Sequence, residues 1–144
     1  HPQHRRQRQM CIRDRQLTIQ MINDLEKDKR LINVLERLEQ DGYILCCATN
    51  SVRHSAIVQL TRRGFIDHLE FVFTNQDVVN PKPNTEIYLR CMIKAGVSPK
   101  ETIILEDSEL GRRGAKETGS RVLEIRDSAD VTYVKIRKFI ENVK

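Results

Sequence analysis

No stretch of this 144-residue chain approaches the roughly 18 consecutive apolar residues that a membrane-spanning helix needs. Nor does any segment carry the charged, apolar and small-residue order of a secretory signal. The four cysteines, Cys11, Cys46, Cys47 and Cys91, form no CxxC pair and no ligand-spaced set with the histidines. That excludes a disulfide framework or a zinc site read from spacing, and a reducing cytoplasmic compartment is the expectation. Hydrophobic content of 39% and charged content of 31% suit one globular domain.

The net charge of +5 is concentrated at one end. Residues 1–16, HPQHRRQRQMCIRDRQ, hold five arginines and one aspartate. The other 128 residues balance 20 basic against 19 acidic side chains. A basic arm can neutralise phosphates, but this one has no aromatic side chain for base stacking. The body has no basic stripe to continue the contact, so nucleic acid and membrane are not expected partners. The arm also lacks apolar periodicity and reads as a non-globular, non-native extension.

From Leu17 the pattern turns globular. Leu17, Ile19, Met21, Ile22 and Leu25 suggest a short helix, and Leu31, Ile32, Val34, Leu35 and Leu38 a longer one, stopped by Gly42. YILCCA (43–48) has the profile of a strand buried on both faces. Val52, Ala56, Ile57 and Leu60 mark the next helix, closed by Gly64. EFVFT (70–74) is a second strand, followed by the polar loop NQDVVNPKP. Asn84 can cap a helix carrying Ile87, Tyr88, Cys91, Met92 and Ala95. TIIL (102–105) is a third strand, Ser108 a cap for a helix ending near Gly119, and RVLEI (121–125) a fourth strand. Val131, Val134, Ile136 and Ile140 lie in a last helix. The alternation predicts an α/β, Rossmann-like parallel sheet with helices on both faces.

In such sheets ligands bind beyond the carboxyl ends of the strands. Thr49 and Asn50 follow the first strand, Lys82 lies after the second, and Glu106 and Asp107 follow the third. A hydroxyl, an ammonium and two carboxylates on one rim suit a phosphate beside a magnesium ion. Each group also has a plainer reading. Thr49-Asn50-Ser51 can be a capping turn, Lys82 a solvated loop residue, and Asp107-Ser108 a helix cap.

The ordered set GYILCCATNS, NPKPNTEIY and IILEDSELG resembles the haloacid dehalogenase-like hydrolase superfamily, in particular its β-phosphoglucomutase and phosphoglycolate-phosphatase type. The resemblance runs from about residue 28 to the C-terminus. It implies that Thr49 hydrogen-bonds the phosphoryl group, with backbone N–H groups near Asn50 and Ser51 adding donors. By the same resemblance Lys82 neutralises charge on the phosphate and on the nucleophile. Asp107 and Glu106 are the implied magnesium ligands, and a small phosphorylated metabolite the implied substrate.

Three departures stand out. Thr85 replaces a frequent proline. Gly114 replaces a commoner alanine, which weakens a helix interior by about 1 kcal/mol. The family's DxDxT motif, which supplies the nucleophilic and general acid/base aspartates, is absent; Asp14 has no apolar strand before it. In the family that motif's strand lies between the strands ending in TNS and EDS. Residues 17–27 therefore read as a remnant of a helical cap, and 28–144 as a partial core with an exposed sheet centre. The expectation is the C-terminal part of a monomeric magnesium-dependent phosphatase or phosphomutase, inactive alone. A non-catalytic phosphate-binding or regulatory module on the same fold is the alternative. A response-regulator receiver does not fit, since its acidic residues precede the Thr and Lys.

Overall fold

The computed structural model of the chain describes residues 26–142. The basic arm and nearly all of segment 17–27 lie outside them. Helix α1 spans Lys29–Gln40, its first turn closed by the Asp28 carboxylate accepting from Leu31 N at 3.0 Å. Leu31, Val34 and Leu38 form its buried stripe, as the apolar spacing requires. Strand β1 (Cys46–Ala48) pairs in parallel with β2 (Phe71–Phe73), Cys47 opposite Val72. Between them runs α2 (Arg53–Arg63), ended by Gly64 at φ +83. A Cβ there would come within 2.6 Å of Ile32 Cδ1, so the position needs glycine for both backbone and space.

The second half repeats the unit. Helix α3 spans Glu86–Ala95, strand β3 Ile103–Glu106, helix α4 Glu109–Glu117, strand β4 Arg121–Glu124 and helix α5 Tyr133–Glu141. Strands β3 and β4 pair in parallel, with Glu106 opposite Glu124. One apolar cluster joins α1, α2 and α5 to the sheet through Leu31, Val34, Leu60, Val72, Leu123 and Ile136. A second, on the other face, joins α3 and α4 through Ile87, Tyr88, Met92 and Ala115. Helices therefore cover both faces of parallel strands, the arrangement the sequence predicts.

Three details differ from the sequence reading. The first strand begins at Cys46 rather than Tyr43; Tyr43 and Ile44 are 38% and 51% exposed. Only Cys47 of β1 is buried while Cys46 is exposed, so this strand is not covered on both faces. The third strand reaches one residue further and takes in Glu106.

The described strands form two separate two-stranded sheets, β1-β2 and β3-β4. Between β1 and β3 lies an apolar cavity of about 460 Å³, bordered by Cys46, Cys47, Ile104, Leu105, Leu38 and Met92. Close-packed interiors do not hold voids of that size.

Candidate phosphate and metal site

Lys82 joins the two halves. Its ammonium donates to Ala48 O at 3.0 Å and to Glu106 Oε2 at 2.5 Å, so the carboxyl ends of β1 and β3 meet at one side chain. The loop carrying Lys82 is tied to the β1 loop as well, through Lys82 N donating to Asn50 Oδ1 at 3.2 Å. Lys82 is 4% exposed and Glu106 1%. The reading of Lys82 as a solvated loop residue is thus set aside: burying an ammonium requires a partner charge.

Glu106 is held from several sides. Tyr88 Oη donates to Glu106 Oε2 at 2.7 Å and lies 3.0 Å from Gly111 O. Ser108 Oγ reaches Glu106 Oε1 at a long 3.4 Å. Helix α4 passes so close that a Cβ on Gly111 would lie 2.3 Å from Glu106 Cδ. Gly114, one turn on, faces Pro83 O, which a Cβ would approach to 2.6 Å. The expected helix-weakening glycine is therefore a packing requirement between α4 and the Lys82 loop.

Thr49 and Ser51 are fully buried, and Thr49 Oγ1 accepts from Ser51 N at 3.1 Å. This is a side-chain-closed turn leading into α2 but not its cap: the N-cap is Val52, which makes no side-chain cap bond, so the capping reading gives way to a turn at the rim. Ser51 O in turn accepts from Asn75 N at 3.2 Å. Asp107 is 5% exposed and directly follows Glu106. Ser108 caps α4 through Gly111 N at 3.0 Å, so the cap belongs to Ser108 rather than to Asp107. Among the described residues no group of three or more His, Cys, Asp or Glu side chains gathers to hold a metal.

Other polar side chains make structural contacts. Arg53 pairs with Asp77 at 2.5 Å; burial pushes the Asp77 carboxyl up, but the Thr74 N–H and hydroxyl bonds, and after them Arg53, hold it below its usual range. His68 Nδ1 sits 2.5 Å from Glu39 Oε1. Asn84 Oδ1 accepts from Glu86 N at 2.9 Å, but the N-cap of α3 is Thr85, which makes no side-chain cap bond, so the expected Asn84 cap falls one residue early. Sequence reasoning placed Tyr88 only on the stripe of its helix and gave Gly111 no role. The signal was present in the NTEIY and EDSELG stretches, but the hydroxyl's partner lies on another element.

The haloacid dehalogenase-like hydrolase family model matches residues 7–125, and the chain belongs to that family. Among curated relatives, a phosphorylated carbohydrates phosphatase from Thermotoga maritima is 27% identical over 95 residues, covering 66% of this chain and 44% of the relative. The pyrophosphatase PpaX of Halalkalibacterium halodurans is 26% identical over 95 residues, with the same coverage of 66% and 44%. A crystal structure of a HAD phosphatase from Thermococcus onnurineus superposes with a TM-score of 0.69 at 27% identity, over 78% of this chain and 57% of that one. The chain spans less than half the length of these two curated relatives.

Proposed function

We propose that this chain is the C-terminal part of a magnesium-dependent phosphatase or phosphomutase acting on a small phosphorylated metabolite, and that it is inactive alone. The observation that carries the reading is the buried Lys82 ammonium, held at the junction of β1 and β3 by Ala48 O and Glu106 Oε2. A fixed cation at the carboxyl rim of a parallel sheet stabilises the charge of a phosphoryl group.

Around it, Thr49 serves as hydroxyl donor to a phosphoryl oxygen, since a hydroxyl both accepts and donates. Asn50 contributes its backbone N–H from the turn before α2, while the Ser51 N–H, bonded to Thr49 Oγ1 at 3.1 Å, holds that hydroxyl in place. The donor set suits magnesium: Asp107 and Glu106 offer hard oxygens on consecutive residues, and such an ion keeps water in its other positions. Glu106 would hold the ion while also accepting from Lys82 and Tyr88 through Oε2. When bound, the ion supplies neutralisation of phosphoryl charge. Lys82 orients the phosphate, and the buried walls formed by Thr49, Ser51 and Glu106 exclude water.

No DxDxT sequence occurs in the chain, so the covalent nucleophile belongs to another part of the intact protein. The intact protein is proposed to be a cytoplasmic monomer that binds neither nucleic acid nor membrane; no helix among the described residues is long and apolar enough to cross a bilayer. The test is hydrolysis of p-nitrophenyl phosphate by the purified chain with magnesium. No turnover above buffer is expected, and strong magnesium-dependent turnover rules out inactivity of the isolated chain.

A further inference from the structure

The cysteines take no part in that chemistry, yet three of them border one cavity: Cys46, Cys47 and Cys91. Side chains alternate along a strand, so Cys46 shares a face with Ala48, which packs against the cluster of Ile87, Tyr88 and Met92 on α3. Cys47 points the other way, into the cluster with Leu31 and Leu60. On α3, Cys91 is buried on the same stripe as Ile87, Tyr88 and Met92, and α3 packs directly on β1. Cys46 and Cys91 therefore face one another across the strand–helix contact, with Cys46 exposed and Cys91 buried.

We propose that Cys46 and Cys91 form an oxidisable dithiol, a modification site for small-molecule disulfides of the oxidised-glutathione class. The Cys46 thiolate attacks one sulfur of the disulfide, forming a mixed disulfide and releasing one thiolate. Cys91 then loses its proton and attacks Cys46 Sγ, expelling the second thiol. The protein loses two hydrogens and the reagent is reduced to two thiols. The order follows from the environment. The neighbouring Cys91 thiol lowers Cys46 below the ordinary thiol value, which favours the attacking thiolate. Cys91 is raised, first by its bond to Cys46 and then by burial. Capping Cys46 removes the first of these causes and frees Cys91 to react. Cys47, pushed up to about 12 by burial, stays inert.

The link would join β1, three residues before Thr49, to α3, three residues after Tyr88, and so cross-brace the elements that position Lys82. The test treats the full chain carrying Cys11→Ser with oxidised glutathione, then maps peptides by mass. The expected product joins Cys46 to Cys91 and retains no glutathione. Cys91→Ser should stop with one glutathione on Cys46. In urea, where preorganisation is lost, linkage should slow by about tenfold or more. Glutathione retained on Cys46 of the Cys11→Ser chain, or linkage as fast in urea as in buffer, would overturn the proposal.

Discussion

The ammonium of Lys82 lies 2.5 Å from Glu106 Oε2, with the two side chains 1% and 2% exposed. This pair spans a sequence separation of 24 residues and fixes where the third strand ends relative to the first. Glu106 thus has a role in holding Lys82, in addition to any role toward a metal.

A buried pair broken from one side leaves an uncompensated charge, at a cost of about 3–5 kcal/mol. Lys82→Met or Glu106→Gln should each move the urea unfolding midpoint clearly downward. Lys82→Met combined with Glu106→Leu should recover much of the loss, because neither charge then remains buried. Unchanged midpoints in the single variants would mean the pair is not closed in solution.

Helix propensity alone says that Gly111→Ala and Gly114→Ala stabilise α4 by about 1 kcal/mol each. The packing says the reverse. A Cβ would meet the Glu106 carboxylate or Pro83 O well inside contact distance, and overpacking costs about 1–3 kcal/mol. Thermal melts of the two variants should therefore shift downward. An upward shift in either refutes the close approach of α4.

Glu86 accepts from the backbone N–H of Asn80, from Arg90 and from Val79 N, and these hold its carboxyl down at about 2, against an ordinary 4.5. A depressed folded-state value means the stabilisation is present above pH 4.5 and is lost as pH falls from there toward 2. Acid titration followed at the Val79 and Asn80 amides should report release of that loop within this window. Glu86→Gln should remove the pH dependence at those amides, and an identical titration in the variant would contradict the assignment.

Two separate ladders facing an apolar cavity of about 460 Å³ do not make a close-packed sheet centre. Sedimentation of the purified chain should show self-association, and its unfolding should be broad. A monomer with one sharp two-state transition would defeat this expectation.

Much of this architecture was legible before any coordinates. The 31-34-38 stripe, the Ser108 cap, and the alternation of strands and helices depend on local chemistry, and they appear where local chemistry puts them. Thr49 and Asp107 were legible for the same reason, since each directly follows a strand end. What local reading could not supply was the partner across space. Nothing near Tyr88 in sequence announces Glu106, and Gly114 looks like a weak helix residue until Pro83 is opposite it. The exposure of Cys46 was equally hidden, because burial of a strand depends on what lies beside it rather than on its own apolar run.

The most direct test of the phosphate site is calorimetric titration of the chain with inorganic phosphate, with and without magnesium. Binding should be detectable, should tighten when magnesium is present, and should weaken by about tenfold in the near-isosteric Thr49→Val variant, which lacks the hydroxyl donor. Absence of binding, or binding indifferent to both magnesium and the Thr49 hydroxyl, would contradict the account.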